Sequence, residues 1–120
     1  MKDLAPHIFR QRMIVEGLYG NELVLNEKVI KLFLLRLSRL LEMTVVYGPL
    51  VIREAEKIYP QHAGYEAVMI WAESGVNLYT WEDGKFFSLD VYSCKAFSPE
   101  VVVNYTQRVF EASEVVYKIL

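Results

Sequence analysis

Two side chains that could do covalent chemistry stand twenty residues apart in this chain: the hydroxyl of Ser74 and the thiol of Cys94, the only cysteine. Glu73 directly precedes Ser74 at the end of an apolar run, and Tyr79 opens a Tyr-Thr-Trp sequence five residues beyond it. Cys94 closes the sequence Asp-Val-Tyr-Ser-Cys. A serine hydroxyl is a weak nucleophile unless it is activated, and a thiol can transfer a proton to a carbanion. The spacing therefore marks residues 73–94 as the candidate site.

This segment resembles the central part of the small prokaryotic S-adenosylmethionine decarboxylases, in which Glu-Ser, His-Thr-Trp and Asp-Val-(Phe/Tyr)-(Ser/Thr)-Cys recur at this spacing. The match is sharp over residues 72–94 and softer over 14–20 and 60–61. The resemblance implies cleavage of the backbone between Glu73 and Ser74, which converts Ser74 into a pyruvoyl cofactor. It also implies a homodimer, an S-adenosylmethionine-like ligand and a role in the biosynthesis of polyamines such as spermidine.

The resemblance also assigns roles to other residues. Cys94 falls on the family's proton donor, although a lone cysteine is more often a small buried apolar residue. Asp83, with Glu82 beside it, falls on the acidic residue that binds the substrate ribose, although a carboxylate in a hairpin turn is an equally good interpretation. Glu16 lies near a Leu-Tyr-Gly segment of the family and is expected to face the same pocket. The neighbouring rings of Phe86 and Phe87 could flank an adenine. Strand alternation indicates that one of these two rings belongs to the core.

Self-cleavage needs a hydrogen-bond donor for the developing oxyanion and a base for the α-proton. In the family, a hydroxyl on the preceding strand and the histidine of His-Thr-Trp take these parts. The corresponding residues here are Glu66, eight residues before Ser74, and Tyr79. A tyrosine with an ordinary pKa near ~10 is a poor base at neutral pH, and an ionised glutamate repels an oxyanion.

A shift in the alignment does not restore the hydroxyl, because residues 40–72 contain no serine and only one threonine, Thr44. Gly75 occupies a position that is histidine in many family members, and His62 could reach the site only from a loop. We therefore favour a non-catalytic relative, a pseudoenzyme that is not processed and binds a ligand or regulates an active paralogue. The alternative is an active pyruvoyl-dependent decarboxylase, either of S-adenosylmethionine or of another amine.

Composition limits the other classes of function. The chain has 120 residues, a hydrophobic content of 53% and a formal charge of −2, with no basic stripe. These values favour a single globular domain spanning residues 1–120 and argue against a nucleic-acid partner. One cysteine and two histidines provide no metal-ligand spacing, so no metal is expected. Without a signal peptide or a membrane-spanning run, the expected location is the cytoplasm.

The hydrophobic periodicity predicts an α+β fold. A helix capped by Asn26 and a second helix capped by Ser98 each carry an apolar stripe. The turn signature Glu-Asp-Gly at 82–84 predicts a hairpin. We expect a two-layer sandwich, a mainly antiparallel sheet with both helices on one face. The predicted strands are 13–19, 44–47, 67–72 (buried on both faces), 75–81, 85–92 and 115–120. Residues 50–58 are expected to be a further strand or a second part of strand 44–47, beyond the interruption at Gly48-Pro49.

Overall fold

The structure is a computed structural model that describes residues 1–54 and 60–120. The order of its strands and helices is close to the one expected from the sequence. Two short 3₁₀ turns, Pro60–His62 and Asp83–Lys85, lie between strands. The elements are β1 (Gln11–Leu18), α1 (Glu27–Leu40), β2 (Val45–Glu54), β3 (Gly64–Trp71), β4 (Ser74–Trp81), β5 (Phe86–Ser93), α2 (Pro99–Val109) and β6 (Val115–Ile119).

The six strands form one antiparallel sheet in the order β2-β3-β4-β5-β1-β6. Strands β2 to β5 are a meander of successive neighbours. β1 then adds beside β5, and β6 returns beside β1. Both helices cover the same face, so the predicted two-layer α+β sandwich is confirmed. The core between the layers is apolar, and its largest fully buried side chains include Trp71, Phe33, Phe87, Phe110 and Met13.

Local sequence explains both helices. The Asn26 side chain accepts a hydrogen bond from the Val29 N–H at 2.9 Å, and Ser98 caps α2 in the same way with Pro99 in the first turn. The two helices meet through stacked rings, because the Phe33 and Tyr105 centroids lie 5.2 Å apart. This ring pair joins the two helices into one layer above the sheet.

The opposite face of the sheet carries no helix and is called the open face below. Alternation places on it the residues of β1, β3, β4 and β5 that do not point into the core: Arg12, Ile14, Glu16, Leu18, Glu66, Val68, Ile70, Gly75, Asn77, Tyr79, Trp81, Phe86, Ser88, Asp90 and Tyr92. The prediction that strand 67–72 is buried on both faces is wrong, since Ile70 is 45% exposed. A continuous apolar run does not distinguish a covered face from an uncovered one.

The described parts of segments 44–47 and 50–58 lie along a single strand, β2, which is the continuation that the sequence left open. β2 passes through Gly48–Pro49, a cis peptide bond, with irregular register. The predicted residues 55–58 and Tyr59 of the following loop lie outside the described residues. Within the described part of the chain, neither helix has the length and apolarity needed to cross a membrane.

Candidate functional site

The Glu73–Ser74 bond lies in the tightest hairpin of the sheet. Trp71 at the end of β3 pairs directly with Ser74 at the start of β4, so only Ala72 and Glu73 form the turn, called the scissile turn below. Ser74 has a φ angle of 139°, a region that L-residues other than glycine rarely adopt. A backbone held in such a region stores about 1–3 kcal/mol, and such strain is concentrated at functional sites.

The end of β5 lies beside this turn because Ser74 pairs with Ser93. The next residue, Cys94, donates its main-chain N–H to the carbonyl oxygen of Glu73 at 2.7 Å. That carbonyl belongs to the Glu73–Ser74 peptide bond. A hydrogen bond this short withdraws electrons from the carbonyl carbon and is directed at the atom on which an oxyanion would form. The Cys94 side chain is exposed and its thiol is free.

The side chain of Glu73 is held from the opposite side by the connection between α1 and β2. Thr44 donates its N–H to Glu73 Oε1 at 2.9 Å and its hydroxyl to Oε2 at 3.1 Å. Its carbonyl accepts the Ala72 N–H at 2.8 Å. The hydrogen bond from the Thr44 N–H is the main reason that the pKa of the Glu73 carboxyl lies below its ordinary value, and the charge of Lys95 acts in the same direction.

The two positions at which the family's auxiliary groups are replaced are neighbours in the sheet. Glu66 on β3 pairs with Tyr79 on β4, and both lie on the open face. The row continues through Ser88, whose hydroxyl donates to Glu16 Oε2 at 2.8 Å. Tyr79 is five residues along β4 from Ser74, about 17 Å at the usual rise of a strand. Neither Glu66 nor Tyr79 can therefore act on the scissile bond of its own chain.

The proposed ligand-binding residues lie at the far end of the same hairpin. Asp83 is in the turn that follows β4, about 23 Å along the strand from Ser74. Glu82 is paired with Arg53 at 2.8 Å, and the Phe86 ring lies 5.2 Å from that of Trp81. Within one chain, the structure does not bring these residues to Ser74 and Cys94.

A cavity of about 250 Å³ opens at this far end, and Glu16 and Phe86 both line it. Glu16 and Phe86, one of the two candidate adenine-flanking rings, therefore share a cavity, and their role in binding a ligand stays a prediction. Phe87 is fully buried, which confirms that one of the two rings belongs to the core. A nucleoside-sized ligand could occupy this end of the sheet without approaching Ser74 of the same chain.

Two further residues are explained by position. His62 precedes β3, whereas Ser74 follows it, so the whole strand separates them and His62 cannot assist cleavage in its own chain. At Gly75, a Cβ atom would lie 2.7 Å from the carbonyl oxygen of Met69. A side chain at this position would require β3 to shift away. In the described part of the chain, no cluster of three or more His, Cys, Asp or Glu residues could hold a metal ion.

Thr44 is the residue whose role sequence reasoning missed. The sequence presents Thr44 only as a hydroxyl 29 residues before Glu73, and the folded chain brings the two together. No local pattern in the sequence signals this contact.

The fold and the scissile turn together define a class: a two-layer α+β protein whose candidate site is a strained Glu-Ser hairpin turn facing a cysteine. Comparison with known proteins identifies the family. The sequence profile described as S-adenosylmethionine decarboxylase matches residues 11–120, and the chain belongs to this family.

Two relatives carry the name S-adenosylmethionine decarboxylase proenzyme, both from Clostridium botulinum strains. Each is 28% identical to this chain over 96 residues, a match that covers 77% of this chain and 76% of the relative. Among solved structures, the adenosylmethionine decarboxylase from Aquifex aeolicus superposes with a TM-score of 0.73 at 14% identity, covering 94% of this chain and 89% of that one. At this identity, the structural likeness supports the fold.

Proposed function

We propose that the chain is the proenzyme of a pyruvoyl-dependent S-adenosylmethionine decarboxylase and that it cleaves itself between Glu73 and Ser74. The proposal rests on the 2.7 Å hydrogen bond from the Cys94 N–H to the Glu73 carbonyl oxygen. This donor is part of the main chain, so it does not depend on the side chains that differ from the family pattern. The strained φ angle of Ser74 adds support, because cleavage would relieve it.

In the proposed cleavage, the Ser74 hydroxyl oxygen bonds to the carbonyl carbon of Glu73. The peptide C–N bond then breaks, and the hydroxyl proton passes to the Ser74 nitrogen, which leaves an ester and a free amine. A base next removes the Cα proton of Ser74. The electron pair forms a Cα–Cβ double bond, the Cβ–Oγ bond breaks, and residues 1–73 leave with a carboxylate at Glu73. Tautomerisation and addition of water release ammonia and leave a keto group on residue 74.

The residues present fit this cofactor, because its precursor Ser74 and the candidate proton donor Cys94 lie at adjacent strand ends. The pyruvoyl group supplies a carbonyl that condenses with a substrate amine and accepts the electrons released with carbon dioxide. The Cys94 thiol is exposed and would return a proton to the product. The Cys94 main-chain N–H would remain beside the main-chain carboxylate that cleavage would leave on Glu73.

We further propose a homodimer in which the open faces of two copies meet in antiparallel orientation. Such packing brings the Asp83 end of one sheet against the Ser74 end of the other, and so places Tyr79 and Glu66 of the second copy near the scissile turn. The large exposed apolar side chains of Ile70 and Leu18 on this face support the proposal.

A second candidate function is the unprocessed relative, supported by the pairing of Glu66 with Tyr79 where the family has a hydroxyl and a histidine. In that case the chain binds a ligand at the Asp83 end or pairs with an active paralogue. Tyr79 and Glu66 would then lack the chemistry to assist cleavage in either chain of a dimer.

Intact mass under denaturing conditions separates the two. We expect fragments 1–73 and 74–120, with the second blocked by a pyruvoyl group, and release of carbon dioxide from S-adenosylmethionine. The matched control is Ser74→Ala, which should remain one chain and release none. A wild-type chain that stays intact after prolonged warming would overturn the proposal. If the chain cleaves but decarboxylates another amine instead of S-adenosylmethionine, the proposed substrate would be wrong and the proposed pyruvoyl cofactor would stand.

A further inference from the structure

The scissile turn is fixed by a contact that lies outside the family motif. Thr44 follows α1 and precedes β2, and three hydrogen bonds join it to the turn: two to the Glu73 carboxylate and one to the Ala72 N–H. The Thr44 side chain is exposed, so this arrangement is not a consequence of core packing. Two carboxylate oxygens held by one residue leave the Glu73 side chain little rotational freedom.

Holding the side chain also orients the carbonyl of the same residue. Glu73 is tied to Thr44 through its carboxylate and to Cys94 through its carbonyl oxygen, and these partners come from opposite sides of the turn. A two-residue turn has few free dihedral angles, so fixing one side chain narrows the directions the carbonyl can take. An attacked carbonyl needs its donor in place before the oxyanion forms, and small misplacements slow a reaction strongly.

We propose that Thr44 is a positioning residue for self-cleavage: it clamps the Glu73 carboxylate and so keeps the Glu73 carbonyl on the Cys94 N–H. This inference rests on the proposed function. The charge of Lys95, beyond β5, acts on the Glu73 carboxylate, and the Lys95 ammonium donates a hydrogen bond to the main-chain carbonyl oxygen of Glu42 at 2.6 Å. Thr44 touches no reacting atom and acts only through Glu73.

The first test compares rates of cleavage, measured by intact mass after rapid purification. Thr44→Val keeps the shape and the N–H but loses the hydroxyl, and we expect cleavage about fivefold slower, as for loss of one hydrogen bond to a charged group near the surface. Thr44→Ser restores the hydroxyl and should stay within about twofold of wild type. Glu73→Ala should be slower than Thr44→Val, and the double variant should be no slower than Glu73→Ala alone, because the two residues act as one unit. Additive losses in the double variant would overturn the clamp.

The second test works without cleavage and separates the clamp from the proposed function. In the uncleaved Ser74→Ala chain, carboxyl NMR reports the pKa of Glu73. We expect Thr44→Val to raise this pKa and Thr44→Ser to leave it unchanged. An unchanged pKa in Thr44→Val overturns the clamp even if the wild-type chain cleaves. A raised pKa in a chain whose wild type never cleaves upholds the contact and overturns both self-cleavage and the positioning role.

Discussion

The scissile turn and the open-face row of Glu66, Tyr79, Ser88 and Glu16 differ in what they are made of. The turn is held largely by main-chain groups, with the Cys94 N–H on the Glu73 carbonyl and the Thr44 N–H on its carboxylate. The row consists of side chains on four neighbouring strands. Substitutions that preserve the fold leave main-chain donors in place, whereas they change a row of side chains directly. The chain keeps the family pattern in the first region and departs from it in the second.

The two regions also differ in their distance from the Glu73–Ser74 bond. The turn contains the Glu73–Ser74 bond whose cleavage we propose, whereas the row lies about 17 Å along the sheet from it. Glu66 and Tyr79 therefore lie too far from Ser74 to act on the backbone of their own chain. In the dimer that we propose, they would face the scissile turn of the other copy. For this reason we give self-cleavage precedence over the unprocessed relative that the sequence alone favours.

Removal of the main-chain donor should produce the largest effect. Replacing the amide of Cys94 by an ester, through semisynthesis with the cysteine side chain retained, deletes the N–H that faces the Glu73 carbonyl. We expect cleavage to slow about 10²- to 10³-fold, the usual cost of one oxyanion donor. Intact mass over time measures the rate.

The matched control is Cys94→Ala, which keeps the N–H and loses the thiol. We expect it to cleave at a rate close to that of wild type but to lose decarboxylation. Equal rates in the ester variant and in wild type would show that the turn does not depend on this donor.

Restoring a base in the row should produce the next largest effect. Tyr79→His is expected to accelerate cleavage about 10²-fold, at the lower end of what a positioned base contributes. Asn77→His, on the same strand and face, is the control and should change little. A chain carrying both Ser74→Ala and Tyr79→His cannot cleave itself, but when mixed with wild type it should accelerate cleavage of the wild-type chain. Acceleration confined to chains that carry the histidine would contradict the proposed antiparallel dimer.

Sequence reasoning reached the fold because its signals are local. Asn26 and Ser98 cap helices whose apolar stripes face one way, and the Glu-Asp-Gly turn closes a hairpin. Sequence reasoning could not predict the geometry of the site, because the signals there are not local. The contact between Thr44 and Glu73 and the separation of Asp83 from Ser74 depend on how strands are ordered and how long they are. The exposure of Ile70 likewise depends on which face the helices cover.

Gly75 lies where the turn meets the open face, and substitution there should cost stability. Gly75→Ala places a Cβ against the Met69 carbonyl oxygen, so β3 and β4 must separate. We expect unfolding to become easier by about 1–3 kcal/mol, as for other overpacked sites. Urea unfolding in the Ser74→Ala background measures this without interference from cleavage. Asn77→Ala, which loses only a 3.3 Å contact with the Tyr79 hydroxyl, should cost less than about 1 kcal/mol. If both variants lose the same unfolding free energy, β3 and β4 must accommodate the added methyl group at position 75 at little cost.

The smallest effect should appear as a dependence of stability on pH. The Thr44 N–H, more than any other group, holds the pKa of the Glu73 carboxyl below its ordinary value of 4.5. The folded chain therefore keeps its carboxylate to lower pH than the unfolded chain does. The resulting stability is fully present above pH 4.5 and is lost as pH falls through the lowered pKa. In the Ser74→Ala background, the difference in unfolding free energy between Glu73 and Glu73→Gln should shrink over that window. A difference that stays constant from neutral pH into that window would mean that the Glu73 carboxylate does not stabilise the scissile turn, which would then be held by hydrogen bonds between main-chain groups alone.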